Sequence, residues 1–279
     1  MARGSGSCGP AAARCPGGAV LLSDPLASLA TLPGVGEACD AARSEIDGLL
    51  WDRAIRARAS EIAASSALVG SRDSAALEGA ELSLDVVRAG LDDSPVGRAN
   101  AAALAVTAAV PGQVDAWLQA PLQVLAHLHV IAARGFEDED ALGRPRTTGD
   151  VIDPLHIGTP PLAGEISDRL VALADVLTQS TRAPAILVAA IAHGELLSLR
   201  PFRWGSGLIA RASLRLVLAS RGVDPDLLSC PEAGMLSLGR SSYVAALRDY
   251  ASGEPEGVSE WIRWNAAAIG YGAQAARTT

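Results

Sequence analysis

Ala192-His193-Gly194-Glu195-Leu196-Leu197-Ser198-Leu199-Arg200-Pro201-Phe202-Arg203-Trp204-Gly205-Ser206-Gly207-Leu208-Ile209-Ala210-Arg211 reads as the end of a buried helix, a sharp Gly-x-Gly loop and the start of a second apolar helix. A helix that starts inside such a loop leaves its first backbone N–H groups unpaired by other turns of the helix. It also aims the positive end of its dipole over the loop, a geometry suited to an anion.

Helical signals extend on both sides of this stretch. Upstream, Pro184 stands where a first-turn proline belongs, and the run it opens is apolar on nearly every side, which marks a central helix. Ile166, Leu170, Leu173 and Leu177 form one apolar face of the helix before it. Downstream, Arg221-Gly222 terminates the helix that leaves the loop, and helical pieces follow over about 241–252 and 258–275. Nearer the start, helical periodicity runs from Arg43 to about Leu68, is broken at Gly70-Ser71-Arg72-Asp73, and resumes as a short piece over Ser74–Leu77. A loop over 90–97 precedes helix through about Val110. A stop at Pro111-Gly112 then separates it from helix over Val114–Ala133. Residues 135–161 carry Gly, Pro and Thr together with Val151-Ile152, and read as a loop with a small β-hairpin. Their acidic run, Glu137-Asp138-Glu139-Asp140, reads as a solvated loop rather than a cation site. The fold class is all-α.

Composition narrows the function. The chain has 279 residues, a net charge of −8 and aromatic residues at only 4%. An Ala-rich, aromatic-poor interior fits closely packed helices. An acidic balance counts against nucleic acid as a partner, because phosphate backbones call for clustered positive charge. All 23 basic residues are Arg. The absence of Lys removes P-loop, Schiff-base and kinase-type lysine chemistry. Cys8, Cys15, Cys39 and Cys230 form no Cys-x-x-Cys pair, so they read as free thiols of a reducing, cytoplasmic protein rather than a metal site. No run approaches the roughly 20 apolar residues of a membrane span. Three regions are expected: a disordered tail over 1–20, an N-terminal helical region over 21–95, and a core domain over 96–279.

Arg200-Pro201-Phe202-Arg203-Trp204-Gly205-Ser206-Gly207-Leu208-Ile209-Ala210-Arg211 resembles the Fic (Fido) family motif His-Pro-Phe-x-Asp/Glu-Gly-Asn-Gly-Arg-x-x-Arg. Pro201, Phe202, Gly205, Gly207 and Arg211 agree with it. Ala192-His193 resembles the helix before the motif, Gly143-Arg144 to Ile157-Gly158 occupies the place of the hairpin flap, and Tyr243–Leu247 resembles a helix after the core. Upstream, Ser74-Ala75-Ala76-Leu77-Glu78-Gly79 resembles the inhibitory Ser/Thr-x-x-x-Glu-Gly/Asn signature of one class of the family. The resemblance implies a helical bundle with a β-hairpin flap. For active members it implies transfer of AMP from ATP to a protein hydroxyl. It further implies an ion pair between Glu78, of the inhibitory motif Ser74, Glu78 and Gly79, and Arg211.

The departures bear on the chemistry. Arg200 stands where the family has its proton-accepting His, and a guanidinium has five donors and no acceptor. Trp204 stands at the acidic metal ligand, whereas Mg²⁺ needs hard oxygen donors. Ser206 replaces the motif Asn, and Leu208 replaces the first motif Arg and removes its phosphate contact. No catalytic residue is therefore assigned. His193 lies about 10 Å along the helix from Arg200 and reads as a buried core histidine; His156, beside the flap, reads as a solvated loop residue. Gly205, Ser206, Gly207 and Arg211 remain as the candidate phosphate or nucleotide contacts. Arg200 adds positive charge beside them. Trp204 reads as a plug in the vacated metal and phosphate space.

The resulting expectation is a Fic-fold binding or regulatory module without AMP-transfer chemistry. ATP is the candidate ligand, Mg²⁺ is not expected and no metal site is assigned. The partners expected are another protein, a second copy of the chain, or a nucleotide or phosphate ligand; nucleic acid and membranes are not. The alternative is a metal-independent transferase acting on a phosphate-bearing ligand, with Arg200, Arg211 and the loop amides as electrostatic stabilisers.

Overall fold

The computed structural model describes Met1 and residues 24–278. Its helices are α1 (Val35–Trp51), α2 (Arg53–Ala57), α3 (Ala59–Leu77), α4 (Leu84–Ala89), α5 (Pro95–Ala109), α6 (Val114–Trp117) and α7 (Pro121–Ala133). After an irregular segment come α8 (Ala163–Thr178), α9 (Ala185–Leu199), α10 (Ser206–Ser220), α11 (Pro231–Leu238), α12 (Arg240–Ala251) and α13 (Pro255–Ala276). The architecture is all-α, as the periodicity indicates. The tail expected over 1–20 lies outside the described residues apart from Met1.

Local chemistry sets the boundaries. Asp52 caps α2 by accepting from the N–H groups of Ala54 and Ile55, which splits the helix expected over 43–68. Ser94 caps α5 and Pro95 occupies its first turn, so the loop expected over 90–97 ends earlier. Pro121 opens α7 in the same way, after a break at 118–120. Pro231 opens α11, which the sequence pattern did not reveal.

The break expected at residues 70–73 is absent, and α3 runs unbroken to Leu77. A Cβ on Gly70 would collide with Arg215 Nη2. The glycine is there to let a neighbouring guanidinium approach the helix, not to end it. That guanidinium belongs to a buried pair: Arg215 donates to both carboxylate oxygens of Glu232, at 2.8 and 2.6 Å. It also reaches the Ser66 and Ser229 carbonyls, at 3.3 and 3.2 Å.

The hairpin expected within 135–161 is likewise not formed. Among the described residues the only β pairing is an isolated bridge between Arg134 and Glu137. The flap spends its backbone donors elsewhere. Arg146 N–H donates to the Pro201 carbonyl and Ile152 N–H to the Arg203 carbonyl, each at 2.8 Å. A segment whose donors are taken by another loop has fewer left for a ladder of its own.

At the centre lies α9, with His193, Gly194 and nearly all its apolar residues buried. It packs against α10 and α13, and α13 also packs against α1, α11 and α12. Helices from residues 21–95 thus share the core of the later ones: Ile46, Leu49, Ile62 and Leu77 join Leu187, Leu214 and Ile269 in one apolar cluster. Gly194 permits the crossing of α9 and α13, since a Cβ there would lie 2.6 Å from Trp261 Nε1. The Trp261 indole N–H donates to the Ala190 carbonyl at 2.8 Å, which satisfies a buried polar edge among apolar neighbours. No described helix is long and apolar enough to cross a membrane.

Candidate ligand site at the Gly-x-Gly loop

The loop between α9 and α10 is shaped by two left-handed residues. Arg200 ends α9 with φ of 45° and Gly205 precedes α10 with φ of 77°. Glycine adopts that region without cost, whereas a side chain pays about 1–2 kcal/mol. Arg200 is held there by several contacts. Its N–H donates to the Leu196 carbonyl at 3.0 Å. The buried Arg146 guanidinium donates to the Arg200, Leu199 and Pro161 carbonyls at 2.8, 3.3 and 2.8 Å. Arg146 therefore fills the role of a C-cap for α9 and binds the flap to the loop at the same time. The Ser206 hydroxyl closes the loop from inside, donating to the Phe202 carbonyl at 3.1 Å and accepting its N–H at 3.2 Å. That commitment leaves Ser206 turned into the loop.

The N-terminus of α10 meets a carboxylate. Arg211 Nη2 donates to Glu78 Oε1 at 2.7 Å, so the expected pair between the upstream helix and the loop helix is formed. Arg211 also donates to Ser74 Oγ at 2.8 Å, to the Ser74 carbonyl at 3.1 Å and to the Tyr243 hydroxyl at 3.3 Å. Burial lowers the Arg211 pKa, and the Glu78 carboxylate and Tyr243 more than offset it, leaving the group raised. Glu78 lies so close to α10 that a Cβ on Gly207 would collide with Oε1. The negative charge that suits the dipole's positive end is supplied by the protein. Gly79, with φ of 87°, turns the chain away just after it.

Arg200, Trp204 and Leu208, positions at which the sequence departs from the motif it resembles, are built into the structure as apolar or paired groups. Arg200 Nη1 donates to Asp153 Oδ2 and to the Gly158 carbonyl, each at 2.8 Å. Its expected contribution of free positive charge is therefore corrected: the guanidinium is neutralised by the flap. Trp204 is half-buried and stacks on Phe136, with ring centroids 3.8 Å apart and planes 11° apart. Leu208 is buried in a small cluster with Ala75, Ala80, Ala102 and Ala103, against which Trp204, Phe136 and Ala99 pack. The space around Trp204 and Leu208 is thus walled largely by hydrocarbon. Between these groups a cavity of about 110 Å³ remains, lined by Trp204, Leu208, Leu155, Ile157, Arg200 and Glu78 among others. Trp204 lines this cavity without filling it.

His193 lies where a core histidine was expected. Its ring nitrogens are each 2.8 Å from a partner, Asn265 Oδ1 and the Tyr243 hydroxyl, and burial pushes its pKa down to about 3. His156 is exposed, with φ of 52°, and its carbonyl accepts from Arg248.

Several residues at the site had no visible signal in the sequence. Asp153 sits in an irregular segment, and no periodicity marks it as the partner of Arg200. Glu137 is a second case and corrects the reading of the acidic run as wholly solvated. Its side chain is 3% exposed, 3.7 Å from His129 Nε2, and burial raises its pKa against the opposing Trp204 amide. His129 in turn stacks on Phe202, with centroids 4.0 Å apart, and accepts the Gly143 N–H at 2.9 Å. The apolar residues spaced along α7 gave the one available hint that its inner face touches the loop.

These helices, with a flap laid over a loop between two central helices, define a Fic fold. A Fic family protein from Desulfovibrio desulfuricans G20 superposes with a TM-score of 0.69 at 18% identity, over 88% of this chain and 74% of that one. Fic-1 (residues 134–508) from C. elegans gives 0.65 at 19% identity, over 88% and 72%. A Fic domain containing signaling protein from Bacteroides thetaiotaomicron gives 0.62 at 13%, over 86% and 96%. No protein-family model matches the chain, and no curated protein matches its sequence.

The fold's implied ligands do not fit the residues present. Mg²⁺ needs oxygen donors, and the position to which the motif resemblance would assign a metal ligand carries the Trp204 indole. A nucleotide phosphate at α10 would meet Glu78, while Arg200 and Arg211 are already paired with carboxylates. Like charges at close range repel, so the site as built disfavours a triphosphate.

Proposed function

We propose that this chain is a Fic-fold binding or regulatory protein that does not transfer AMP. The observation that carries the reading is the state of Arg200. The residue at the proton-accepting position has no lone pair and is fastened to Asp153 and Gly158. General base catalysis alone contributes about 10²–10⁴-fold, and losing the metal's charge stabilisation lowers the rate further. Glu78 and Arg211 then serve as architecture: a pair retained because removing either partner strands a charge. The alternative of metal-independent transfer to or from a phosphate-bearing ligand needs free guanidinium groups, and Arg200 and Arg211 are both engaged.

The fitting partner for such a module is another protein, with a second copy of the chain the simplest case; light scattering reads the latter directly. A cytoplasmic site of action belongs to the same proposal. It is supported by the free, buried thiols of Cys39 and Cys230, pushed by burial up to about 11 and about 12.

The test is incorporation of labelled AMP from ATP and Mg²⁺, by the wild type and by Glu78→Gly, into the protein itself and into a lysate. No incorporation is expected from either. Transfer by Glu78→Gly above the level of a heat-treated control would overturn the reading.

A further inference from the structure

We infer that the cavity over the Gly-x-Gly loop is a binding site for a small, uncharged, single-ring organic ligand rather than for a nucleotide. The inference rests on the reading that phosphate is excluded from this site, and it assigns a ligand class to the space that remains.

The electrostatics of the cavity favour an uncharged guest. Every charged side chain in the part of the lining formed by Glu78, Asp153 and Arg200 already has an opposite partner, Glu78 with Arg211 and Asp153 with Arg200. The polar Ser206 hydroxyl is engaged with Phe202. A charged guest would surrender its hydration, which is costly, and in return an anion would find only the Arg200 Nε–H, a buried donor without a partner on a guanidinium whose charge Asp153 already answers. An uncharged guest gives up little.

Shape and surface point the same way. Apart from those paired groups and the loop backbone, the walls are carbon: the Trp204 indole, backed by the stacked Phe136 ring, Leu208, Leu155, Ile157 and Leu197. Binding sites of this kind are mostly apolar and largely formed before the ligand arrives. The volume of about 110 Å³ is somewhat below the ~150 Å³ apolar cavity that accepts benzene in another protein. A single ring fits with one edge at the mouth, and a purine nucleotide does not fit whole. The flat face of Trp204 favours a planar guest, since aromatic rings gain from offset or edge contacts beyond their buried area.

The site is assembled from distant parts of the chain. Ala75 and Glu78 come from the end of α3, Ala99 from α5, Leu155 and Ile157 from the flap, and Leu197 to Leu208 from the central helix pair. A guest would bridge the upstream helices and the flap, so its binding would stiffen the whole region.

The experiment uses the full chain and saturation-transfer difference NMR with phenol, benzoate and ATP as probes. Phenol is expected to bind, with benzoate at least about tenfold weaker because its carboxylate must be desolvated. Ala99→Phe, which fills the cavity from α5 without touching a paired charge, is expected to abolish the phenol signal at an unchanged melting temperature. Leu155→Ala, which enlarges the cavity, is expected to retain it, so that loss of fold and loss of site are told apart. Absence of phenol transfer up to about 10 mM overturns the inference while leaving the lost-transfer reading intact. So does phenol binding that Ala99→Phe does not reduce. Transfer to the ribose and base protons of ATP, removed by Ala99→Phe, overturns the inference and the exclusion of phosphate on which it rests, whereas the lost-transfer reading is decided by the AMP incorporation test alone.

Discussion

Glu78 and Arg211 meet at 2.7 Å across the N-terminus of α10, and Gly207 is the residue whose missing side chain makes room for them. The pair, the glycine and the helix dipole form one arrangement: the carboxylate sits against a bare turn of helix, where it answers both a guanidinium and the positive end of the backbone. Each element constrains the others.

That coupling yields a change of sign. Gly207→Ala should cost about 2 kcal/mol in the wild type, because its methyl displaces Glu78 and leaves the buried Arg211 short of a partner. In a Glu78→Gly background the same substitution meets no carboxylate. It should then be neutral or stabilising by up to about 1 kcal/mol, the helix preference of Ala over Gly. Urea midpoints of the four proteins in this cycle decide it, and equal effects of Gly207→Ala in both backgrounds would show that the pair does not press on the loop.

A second pair holds the other side. Asp153→Ala should destabilise the protein by about 2 kcal/mol, since Arg200 is only 7% exposed at the side chain and loses its counter-charge. Asp153 is 18% exposed, so the loss is smaller than for a fully buried pair. Asp153→Asn, which keeps an acceptor oxygen, should recover part of the loss. The sharper readout is local: hydrogen exchange at the Ile152 amide, bonded to the Arg203 carbonyl, should accelerate as the flap lifts. Unchanged exchange at that amide in Asp153→Ala would remove the clamp from the account.

The unequal legibility of these features has a physical basis. The central helices and the tight loop were readable because apolar runs and the Gly205–Gly207 spacing are local signals that the folded chain keeps. The ion pair of Glu78 and Arg211 was readable only through the resemblance. The flap was misread as a hairpin because the donors of Arg146 and Ile152 go to carbonyls of the distant loop, a choice no local pattern records. Gly70 was misread as a breaker for a similar reason: its role is set by Arg215, which approaches from another helix. Asp153 and Glu137 lie in a segment with no period, so their partners emerge only once the chain is folded.

Gly70 sets a local effect against a tertiary one. Ala is the better helix former by about 1 kcal/mol, so a purely local view has Gly70→Ala stabilising α3. The tertiary view has it destabilising by about 2 kcal/mol or more, because the added methyl collides with Arg215 Nη2 and crowds Glu232 in a buried ion pair. Thermal melts of the two proteins distinguish the views by direction alone. A higher melting temperature for Gly70→Ala would return the residue to the role of a weak point in the helix.

Acid should loosen the fold through two histidines that it buries uncharged. Burial lowers His129 to about 4 and His193 to about 3, from an ordinary value of 6.5. As pH falls below 6.5 the unfolded chain takes up protons at these positions and the folded chain does not, so stability present above that pH is progressively lost. Asp73 opposes the trend, because burial raises it from 3.8 to about 6 and the folded state gains a proton first. Glu137 is raised in the same direction. With the two carboxylates offsetting part of the two imidazoles, the wild type should lose stability modestly from pH 6.5 to 5. His129→Gln removes one destabilising titration and leaves the carboxylates in place. It should start less stable at pH 7, where the Gly143 N–H has lost its ring acceptor. Its slope with pH should then be shallower than the wild type's by up to about 1 kcal/mol per pH unit. Urea midpoints of both proteins at pH 7, 6 and 5 measure the two slopes. Parallel lines would mean that His129 titrates alike in the folded and unfolded chains, and that its stacking on Phe202 at the base of the loop carries no cost in protonation.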